Sequence, residues 1–172
     1  MLDPEGDCVL NEELIKEVHT FIIGGGIVDK ERRVKGETAR LYRLLGLNVP
    51  RCRIELRGGS IIGVPDRINK VIEVILMTLF ETGNIEEAII KAMSKRDRVN
   101  RLFYEFQRAA YRLRREGSTI LVVPKSMIGR INWVNASDKE LELVLRKSHV
   151  RVIDDEELSK YLSLGIARPG PP

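Results

Sequence analysis

A glycine-rich segment followed by a single acid contains the residues of this chain best suited to chemistry. An apolar run at residues 21–23 leads into three consecutive glycines, and Asp29 follows within three residues. Glycine lets a backbone approach a ligand closely because it has no Cβ, and a carboxylate beside such a loop can accept a proton. This order predicts a ligand-binding loop with an adjacent catalytic acid. A plain tight turn is the alternative interpretation of the same glycines.

Basic residues are concentrated in two segments of a chain whose net charge is only +4. Residues 27–60 contain nine basic and four acidic side chains, and residues 96–115 contain seven arginines and two acids. Such clusters are typical of surfaces that neutralise phosphates, although solvated surface charge is the alternative interpretation. The predicted polyanion contacts are Arg32, Arg33, Lys35, Arg40 and Arg43 in the first segment, and Arg98, Arg101, Arg108 and Arg112 in the second.

Length and composition predict a globular α/β protein. The 172 residues suffice for one domain, or for one domain with a small appendage, and the chain is 43% hydrophobic and 31% charged. No apolar stretch is long enough to span a bilayer, and no signal peptide opens the sequence. Cys8 and Cys52 lack metal-ligand spacing and are not expected to form a disulfide framework, which favours a reducing, cytoplasmic location and no metal site.

The apolar periodicity predicts strands that alternate with helices and carry these residues. A long amphipathic helix over residues 96–115 would place its arginines along one side. Ser137 and Asp154 are predicted N-caps because Glu140 and Glu157 follow three residues later. The other predicted helices span residues 11–18, 37–45, 65–80, 85–93, 137–146 and 155–162, and the predicted strands span residues 20–23, 52–56, 119–123 and 150–153.

The order of motifs over residues 1–96 resembles one family, the tRNA methyltransferases that modify N1 of the purine at tRNA position nine. These enzymes belong to the SPOUT superfamily, which has a trefoil-knotted fold, and the resemblance is to archaeal-like members. The similar blocks are residues 21–38, 39–47, 53–56, 65–71, 81–88 and 94–96. Two positions depart from the family pattern, since Glu55 stands where proline is usual and Lys70 where glutamine is usual.

The resemblance is to the C-terminal half of the SPOUT domain. Residues 2–7 resemble a segment that normally follows the first strands of that domain, so its front half is expected to be missing from this chain. The organisation that follows is a cofactor-binding half over residues 1–95, then a basic helix with a small β-α-β-α appendage over residues 96–165. Residues 166–172 are expected to be a disordered tail.

The resemblance also implies a cofactor, a substrate and a role for Asp29. S-adenosylmethionine would be held by three knot loops, without a metal, and the carried-over cofactor positions are Gly25, Gly26, Ile54, Glu55, Leu56, Gly63, Val64, Pro65, Arg67 and Ile68. Asp29 would accept the N1 proton of guanine, or would orient adenine, whose N1 carries no proton. The basic side chains would hold the tRNA backbone, and the full-length enzyme is expected to be monomeric.

Two other functions remain open from the sequence. The chain could be a non-catalytic RNA-binding module that retains the fold, or a basic α/β domain whose arginine-rich helix docks a protein partner. Trp133 could stack on a base or belong to the core. Cofactor binding separates the enzyme from both alternatives, and salt-dependent tRNA binding separates the two alternatives from each other.

Overall fold

The computed structural model describes residues 1–23, 36–115 and 117–170. The chain divides into two compact units, Met1–Met93 and Ser94–Pro172. None of the helices within the described ranges is both long enough and apolar enough to cross a bilayer.

The first unit is mostly helical, with short extended segments. The side chains of Asn11 and Asn84 cap α1 and α4 by accepting hydrogen bonds of 2.9 Å from the N–H groups of Leu14 and Glu87. Its elements are β1 (Cys8–Val9), α1 (Glu12–Glu17), α2 (Glu37–Leu44), β2 (Cys52–Arg53), α3 (Ile68–Met77), a π-helical turn (Thr78–Thr82) and α4 (Ile85–Ala92).

Four extended segments of the first unit lie parallel to one another. β1 pairs with β2, and Leu2 forms parallel bridges with both Cys52 and Ile23. The lateral order is therefore Ile23, Leu2, β2 and β1. The strand predicted at residues 52–56 is shorter than expected, because only Cys52 and Arg53 pair as β2. The strand predicted at residues 20–23 is reduced to a bridge, because only Ile23 pairs with Leu2. All four segments point their carboxyl ends the same way.

Close backbone approach and a disulfide join this parallel arrangement together. A Cβ on Gly6 would lie 2.6 Å from the carbonyl oxygen of Arg51, so only glycine fits there. Cys8 and Cys52 are register partners on adjacent strands, with their Cα atoms 4.4 Å apart, and form a disulfide. The expectation that these cysteines stay unpaired is wrong, because strand pairing brings together residues that are 44 positions apart in sequence.

The second unit is a four-stranded sheet with helices. The strand order is β5-β4-β3-β6, in which β4 and β5 are parallel and the other two pairs are antiparallel. Leu158 of α8 packs in a core cluster with Val122 and Ala167. The elements are α5 (Lys95–Ala109), β3 (Tyr111–Arg115), β4 (Ser118–Pro124), a 3₁₀ turn (Lys125–Met127), α6 (Ile128–Ile131), α7 (Asp138–Ser148), β5 (Val150–Ile153), α8 (Asp155–Ser163) and β6 (Ala167–Pro169).

Two sequence predictions for this unit are wrong. The helix predicted over residues 96–115 ends at Ala109, and the chain continues as β3, in which exposed Arg112 and Arg114 alternate with buried Leu113. Residues 167–169, within the tail predicted to be disordered, pair with β3 as β6. Gly170 fixes this pairing, because its N–H donates to the carbonyl of Ala110 at 3.0 Å and a Cβ there would lie 2.6 Å from the same oxygen.

Candidate functional site

A cavity of about 220 Å³ lies in the first unit where the parallel segments end. Asp3 and Pro4 follow Leu2 at the end of one segment, Ile23 lies on another, and Ile54 follows β2. In open parallel sheets, ligands bind beyond the carboxyl ends of the strands, since side chains and loops converge there. The position of the cavity is therefore that of a ligand site.

The opposite wall comes from α2, from α3 and from the loop between β2 and α3. That loop contains Gly63, whose φ of 86° is readily adopted only by glycine. Pro65, which is buried, and Thr38, which is 4% exposed, both line the cavity. The complete lining is mostly apolar and consists of Leu2, Asp3, Pro4, Ile23, Thr38, Cys52, Ile54, Ile61, Val64, Pro65, Asp66, Ile68 and Val71.

Asp3 is the buried acid of this cavity, at 3% exposure. Its Oδ1 accepts a hydrogen bond of 2.9 Å from the N–H of Glu5. Its Oδ2 lies 3.4 Å from Arg51 Nη1 but accepts no hydrogen bond within the described ranges. A buried carboxylate oxygen without a hydrogen bond is costly. A ligand that supplies an N–H or O–H donor would therefore be favoured at this position.

The predicted cofactor residues fall into three groups. Ile54, Val64, Pro65 and Ile68 line the cavity. Glu55, Leu56, Gly63 and Arg67 belong to the same loops but do not line it. Gly25 and Gly26 lie outside the described residues, as does the predicted catalytic residue Asp29.

The segment that contains the glycines and Asp29 is flanked by the cavity wall on both sides in sequence. Ile23 immediately precedes residues 24–35, and Thr38 stands shortly after them. Both residues line the cavity.

The two positions that depart from the family pattern form ion pairs within this chain. Glu55 pairs with Arg53, whose Nη1 donates to the carbonyl of Gly6 at 2.7 Å. Lys70 Nζ lies 2.6 Å from Glu73 on α3. Glu55 and Lys70 therefore each form an ion pair with a neighbouring side chain, which the uncharged proline or glutamine usual at these positions could not form.

The first group of predicted polyanion contacts is described only in part. Arg32, Arg33 and Lys35 lie outside the described residues. Arg40 and Arg43 are exposed on α2. Arg40 lies 3.4 Å from Glu37, a surface pair that contributes little to stability. Both side chains therefore remain accessible to a ligand.

The second group does not form the single exposed stripe that the sequence predicts. Arg98 is partly buried, and its Nε lies 3.3 Å from Glu140 Oε1. Arg108 is exposed and lies 5.5 Å from the ring centroid of Tyr104. Arg112 is exposed but belongs to β3 rather than to the helix.

Arg101 is fully buried, at 0% exposure. Its Nη2 lies 2.7 Å from Glu105 Oε1, and its guanidinium lies 4.9 Å from the ring centroid of Trp133 and 5.3 Å from that of Tyr104. A side chain so enclosed cannot contact RNA, so the predicted phosphate contact at Arg101 is wrong. Trp133 stacks on this arginine, which favours the interpretation of Trp133 as a core residue.

Nine of the thirteen residues that line the cavity were not among the predicted cofactor positions, namely Leu2, Asp3, Pro4, Ile23, Thr38, Cys52, Ile61, Asp66 and Val71. Asp3 had a usable signal, because an acid followed by proline directly after an apolar residue is typical of a strand end. Thr38 had no comparable signal. The described residues contain no group of three or more His, Cys, Asp or Glu side chains that could hold a metal ion.

Comparison with known proteins finds relatives among tRNA methyltransferases, although no protein-family model matches. The chain is 40% identical over 144 residues to a tRNA (adenine(9)-N1)-methyltransferase of Sulfolobus acidocaldarius, a match that covers 84% of this chain and 44% of that protein. It is 31% identical to a tRNA (guanine(9)-/adenine(9)-N1)-methyltransferase of Thermococcus kodakarensis, over 98% of this chain and 46% of that protein.

A solved structure shows the same similarity in three dimensions. The crystal structure of Sulfolobus acidocaldarius Trm10 in complex with S-adenosylhomocysteine matches with a TM-score of 0.61 and 34% sequence identity, over 85% of this chain and 42% of that one. The Thermococcus match extends over nearly the whole chain and therefore includes the second unit. The chain is thus similar in sequence and fold to position-nine tRNA methyltransferases, and it spans less than half the length of these relatives.

Proposed function

We propose that this chain is the cofactor-binding part of a cytoplasmic, S-adenosylmethionine-dependent enzyme that methylates N1 of the purine at tRNA position nine. The observation that carries the proposal is the cavity at the carboxyl ends of the parallel segments. It occurs in a chain whose fold is similar to that of a Trm10 solved with S-adenosylhomocysteine. Half of a SPOUT trefoil-knot domain is the fold that we propose for the first unit.

The residues of the cavity suit part of such a cofactor. Typical ligand sites have volumes of about 300–1,000 Å³, so a cavity of about 220 Å³ suits an adenosyl group better than the whole molecule. The apolar side chains of Ile54, Val64 and Ile68 would contact the flat faces of adenine. Asp3 Oδ2, which lacks a hydrogen bond within the described ranges, would accept one from an amino or hydroxyl group of the cofactor.

We also propose that Asp29 acts at N1 of the purine. S-adenosylmethionine supplies the methyl group on a sulfonium, and transfer then depends mainly on the position of the attacking nitrogen. With guanine, Asp29 would accept the N1 proton. With adenine, N1 already presents a lone pair, and the carboxylate would orient the base instead. The support for this role is the sequence position of Asp29, in a segment flanked on both sides by cavity-lining residues.

The basic side chains near the cavity would hold the tRNA. Arg40 and Arg43 are exposed on α2, the same helix that contributes Thr38 to the cavity wall. Phosphate contacts there would position the substrate without selecting a base. Arg32, Arg33 and Lys35, which precede α2 in the sequence, are proposed to contribute to the same contact. Because position nine lies in the tRNA core, the base must be exposed before it can react.

Single-turnover methylation across a pH series tests this function, with one tRNA transcript carrying guanine and another carrying adenine at position nine. For guanine, Asp29→Asn should slow transfer by about 10²- to 10⁴-fold, and the defect should shrink as pH rises. For adenine, the defect should be smaller and almost independent of pH. Asp7→Asn is the control, because its side chain is an acid at 86% exposure that does not line the cavity.

The other outcomes are equally informative. Wild-type rates in Asp29→Asn with both transcripts would remove Asp29 from the mechanism. Salt-dependent tRNA binding without any methyl transfer would favour the non-catalytic RNA-binding module. The absence of both tRNA binding and methyl transfer would favour the third function, a domain that docks a protein partner.

A further inference from the structure

One face of the sheet in the second unit carries three exposed arginines on neighbouring strands. Arg112 and Arg114 stand two residues apart on β3, so they share a face. Arg168 on β6 is the direct register partner of Arg112 and therefore lies on the same face. All three side chains are exposed. We call Arg112, Arg114 and Arg168 the β3–β6 arginine face.

The β3–β6 arginine face differs from Arg98 and Arg101 of the same unit in having no acidic partner among the described residues. Arg98 pairs with Glu140, and Arg101 pairs with Glu105. In contrast, none of the three arginines of this face forms an ion pair with a described residue. Like charges directly opposite each other destabilise an antiparallel pair. An anionic ligand would therefore relieve repulsion between Arg112 and Arg168 as well as gain its own attraction.

The backbone holds these three charges in fixed positions. β3 lies between β4 and β6, so both of its edges are hydrogen-bonded. The close approach of Gly170 to Ala110 fixes the end of β6 immediately after Arg168. On the opposite face of the sheet, Leu113 and Ala167 pack in the core cluster with Leu158. The arginines are thus presented by packed strands rather than by a loop.

We propose that the β3–β6 arginine face binds the phosphate backbone of RNA. That this RNA is the tRNA substrate rests on the proposed function. A rise of about 3.3 Å per residue places Arg112 and Arg114 about 6.7 Å apart along β3, which suits a linear array of phosphates. Protein interfaces are enriched in aromatic anchors, and β3, β4 and β6 place no aromatic side chain on this face. RNA is therefore a better match than an acidic protein.

The test measures binding of the full chain to an unmodified tRNA transcript between 50 and 200 mM KCl. The triple variant Arg112→Gln, Arg114→Gln, Arg168→Gln should bind more weakly, and the slope of log K against log salt should become shallower by about 0.7–0.9 for each lost contact. The corresponding triple lysine variant should keep most of the slope, because a phosphate accepts either cation. Thermal unfolding of every variant would show that each of them is folded.

A matched control separates the position of the charges from net charge. Arg130, Arg146 and Arg151 are also exposed residues of the second unit but do not lie on the β3–β6 arginine face. Their triple glutamine variant removes the same charge and should leave the slope nearly unchanged. Equal slopes in the two glutamine variants, or no change in either, would overturn the proposal. Poly-glutamate is the probe for an acidic protein. If it displaces tRNA from the chain, and its own binding depends on salt as steeply as that of tRNA, the proposal would be overturned in favour of an acidic protein.

A second measurement on the same variants separates this proposal from the proposed function. S-adenosylhomocysteine binding should be the same in the wild type and in the β3–β6 variant, because the cavity belongs to the first unit. Loss of RNA affinity only in that variant supports the arginine face even if the wild type binds no cofactor. Unchanged RNA affinity overturns the arginine face even if the wild type binds the cofactor.

Discussion

Asp3 Oδ2 lies 3.4 Å from Arg51 Nη1 and accepts no hydrogen bond from any described residue. The same guanidinium also pairs with Asp7, whose Oδ2 is 3.1 Å from Arg51 Nη2. The two acids differ in surroundings, because the side chain of Asp3 is 2% exposed and that of Asp7 is 86% exposed. Of the two, only Asp3 lines the cavity. Substitution of each acid in turn therefore distinguishes a role in ligand binding, expected for Asp3, from a role in pairing with Arg51, which both acids share.

Asp3→Asn should weaken S-adenosylhomocysteine binding. Asparagine keeps the shape of the side chain but removes its charge and replaces one oxygen with a donor. A hydrogen bond to a charged group contributes about 1.5–3 kcal/mol, so the dissociation constant should rise by about 10- to 100-fold. Calorimetric titration measures this change.

Asp7→Asn is the matched control for that substitution. It removes the other carboxylate that pairs with Arg51 but leaves the cavity wall intact. Its dissociation constant should equal that of the wild type within a factor of about two, because exposed ion pairs contribute little. Equal losses in both variants would assign Asp3 to the positioning of Arg51 rather than to the ligand.

Arg101→Ala should destabilise the second unit without a direct effect on RNA contacts. The substitution leaves Glu105 without its partner and removes the cation that lies over Trp133. Loss of one member of a buried pair costs about 3–5 kcal/mol, which urea unfolding would measure. Arg96→Ala is the control, since that side chain is 59% exposed, and it should change stability by less than about 0.5 kcal/mol. A loss below about 1 kcal/mol in Arg101→Ala would contradict the structural role.

Glu140→Gln should destabilise the second unit at neutral pH but not in acid. Burial acts to raise the pKa of Glu140, but hydrogen bonds from the Ser137 N–H and Oγ, at 2.8 and 2.9 Å, together with the nearby Arg98, outweigh it and hold that pKa below its ordinary value. A lowered pKa contributes stability above the unfolded value, and that stability is lost as pH falls through the folded value.

The stability of Glu140→Gln should therefore be about 1 kcal/mol below that of the wild type at pH 7. The difference should shrink as pH falls below the ordinary glutamate pKa of about 4.3 and should vanish below the lowered pKa of the folded state. Glu142→Gln on the same helix, where the side chain is exposed, is the control and should show no such dependence. Denaturant unfolding at several pH values makes the measurement. If the stability difference between Glu140→Gln and the wild type stayed the same in acid, the claim that Glu140 caps α7 in its ionised form would be contradicted.

Reduction of the Cys8–Cys52 disulfide should destabilise the first unit. The bridge closes a loop with a sequence separation of 44, and the chain-entropy model gives about 4 kcal/mol for a loop of that length. Denaturant unfolding with and without a reductant measures the loss. The double variant Cys8→Ser, Cys52→Ser should be insensitive to the reductant. The same unfolding curve for the wild type under both conditions would contradict a stabilising bridge.

Features set by neighbouring residues in the sequence were predictable. Ser137 and Glu140 form the expected capping box at the start of α7, and the predicted strand at residues 150–153 matches β5. The helix at residues 85–93 is confirmed to within one residue, because its cap at Asn84 is a local interaction.

Features that depend on distant partners were not predictable. β3 exists because β4 and β6 pair with it on both sides, which overrides the helical periodicity expected through Arg115. The Cys8–Cys52 pair requires the parallel alignment of β1 and β2. Asp3 becomes a buried residue only because Leu2 is paired between Ile23 and Cys52. In each case, at least one of the partners is distant in the sequence: β6 for β3, Cys52 for Cys8, and Cys52 for Leu2.

Calorimetric titration of S-adenosylhomocysteine into the 172-residue chain would show whether the cavity of the first unit binds the cofactor. We predict saturable binding at one site per chain. The heat-capacity change should be negative, because the ligand buries apolar surface in the cavity. The absence of both heat and thermal stabilisation at millimolar ligand, in protein that unfolds cooperatively, would contradict the claim that this cavity binds the cofactor.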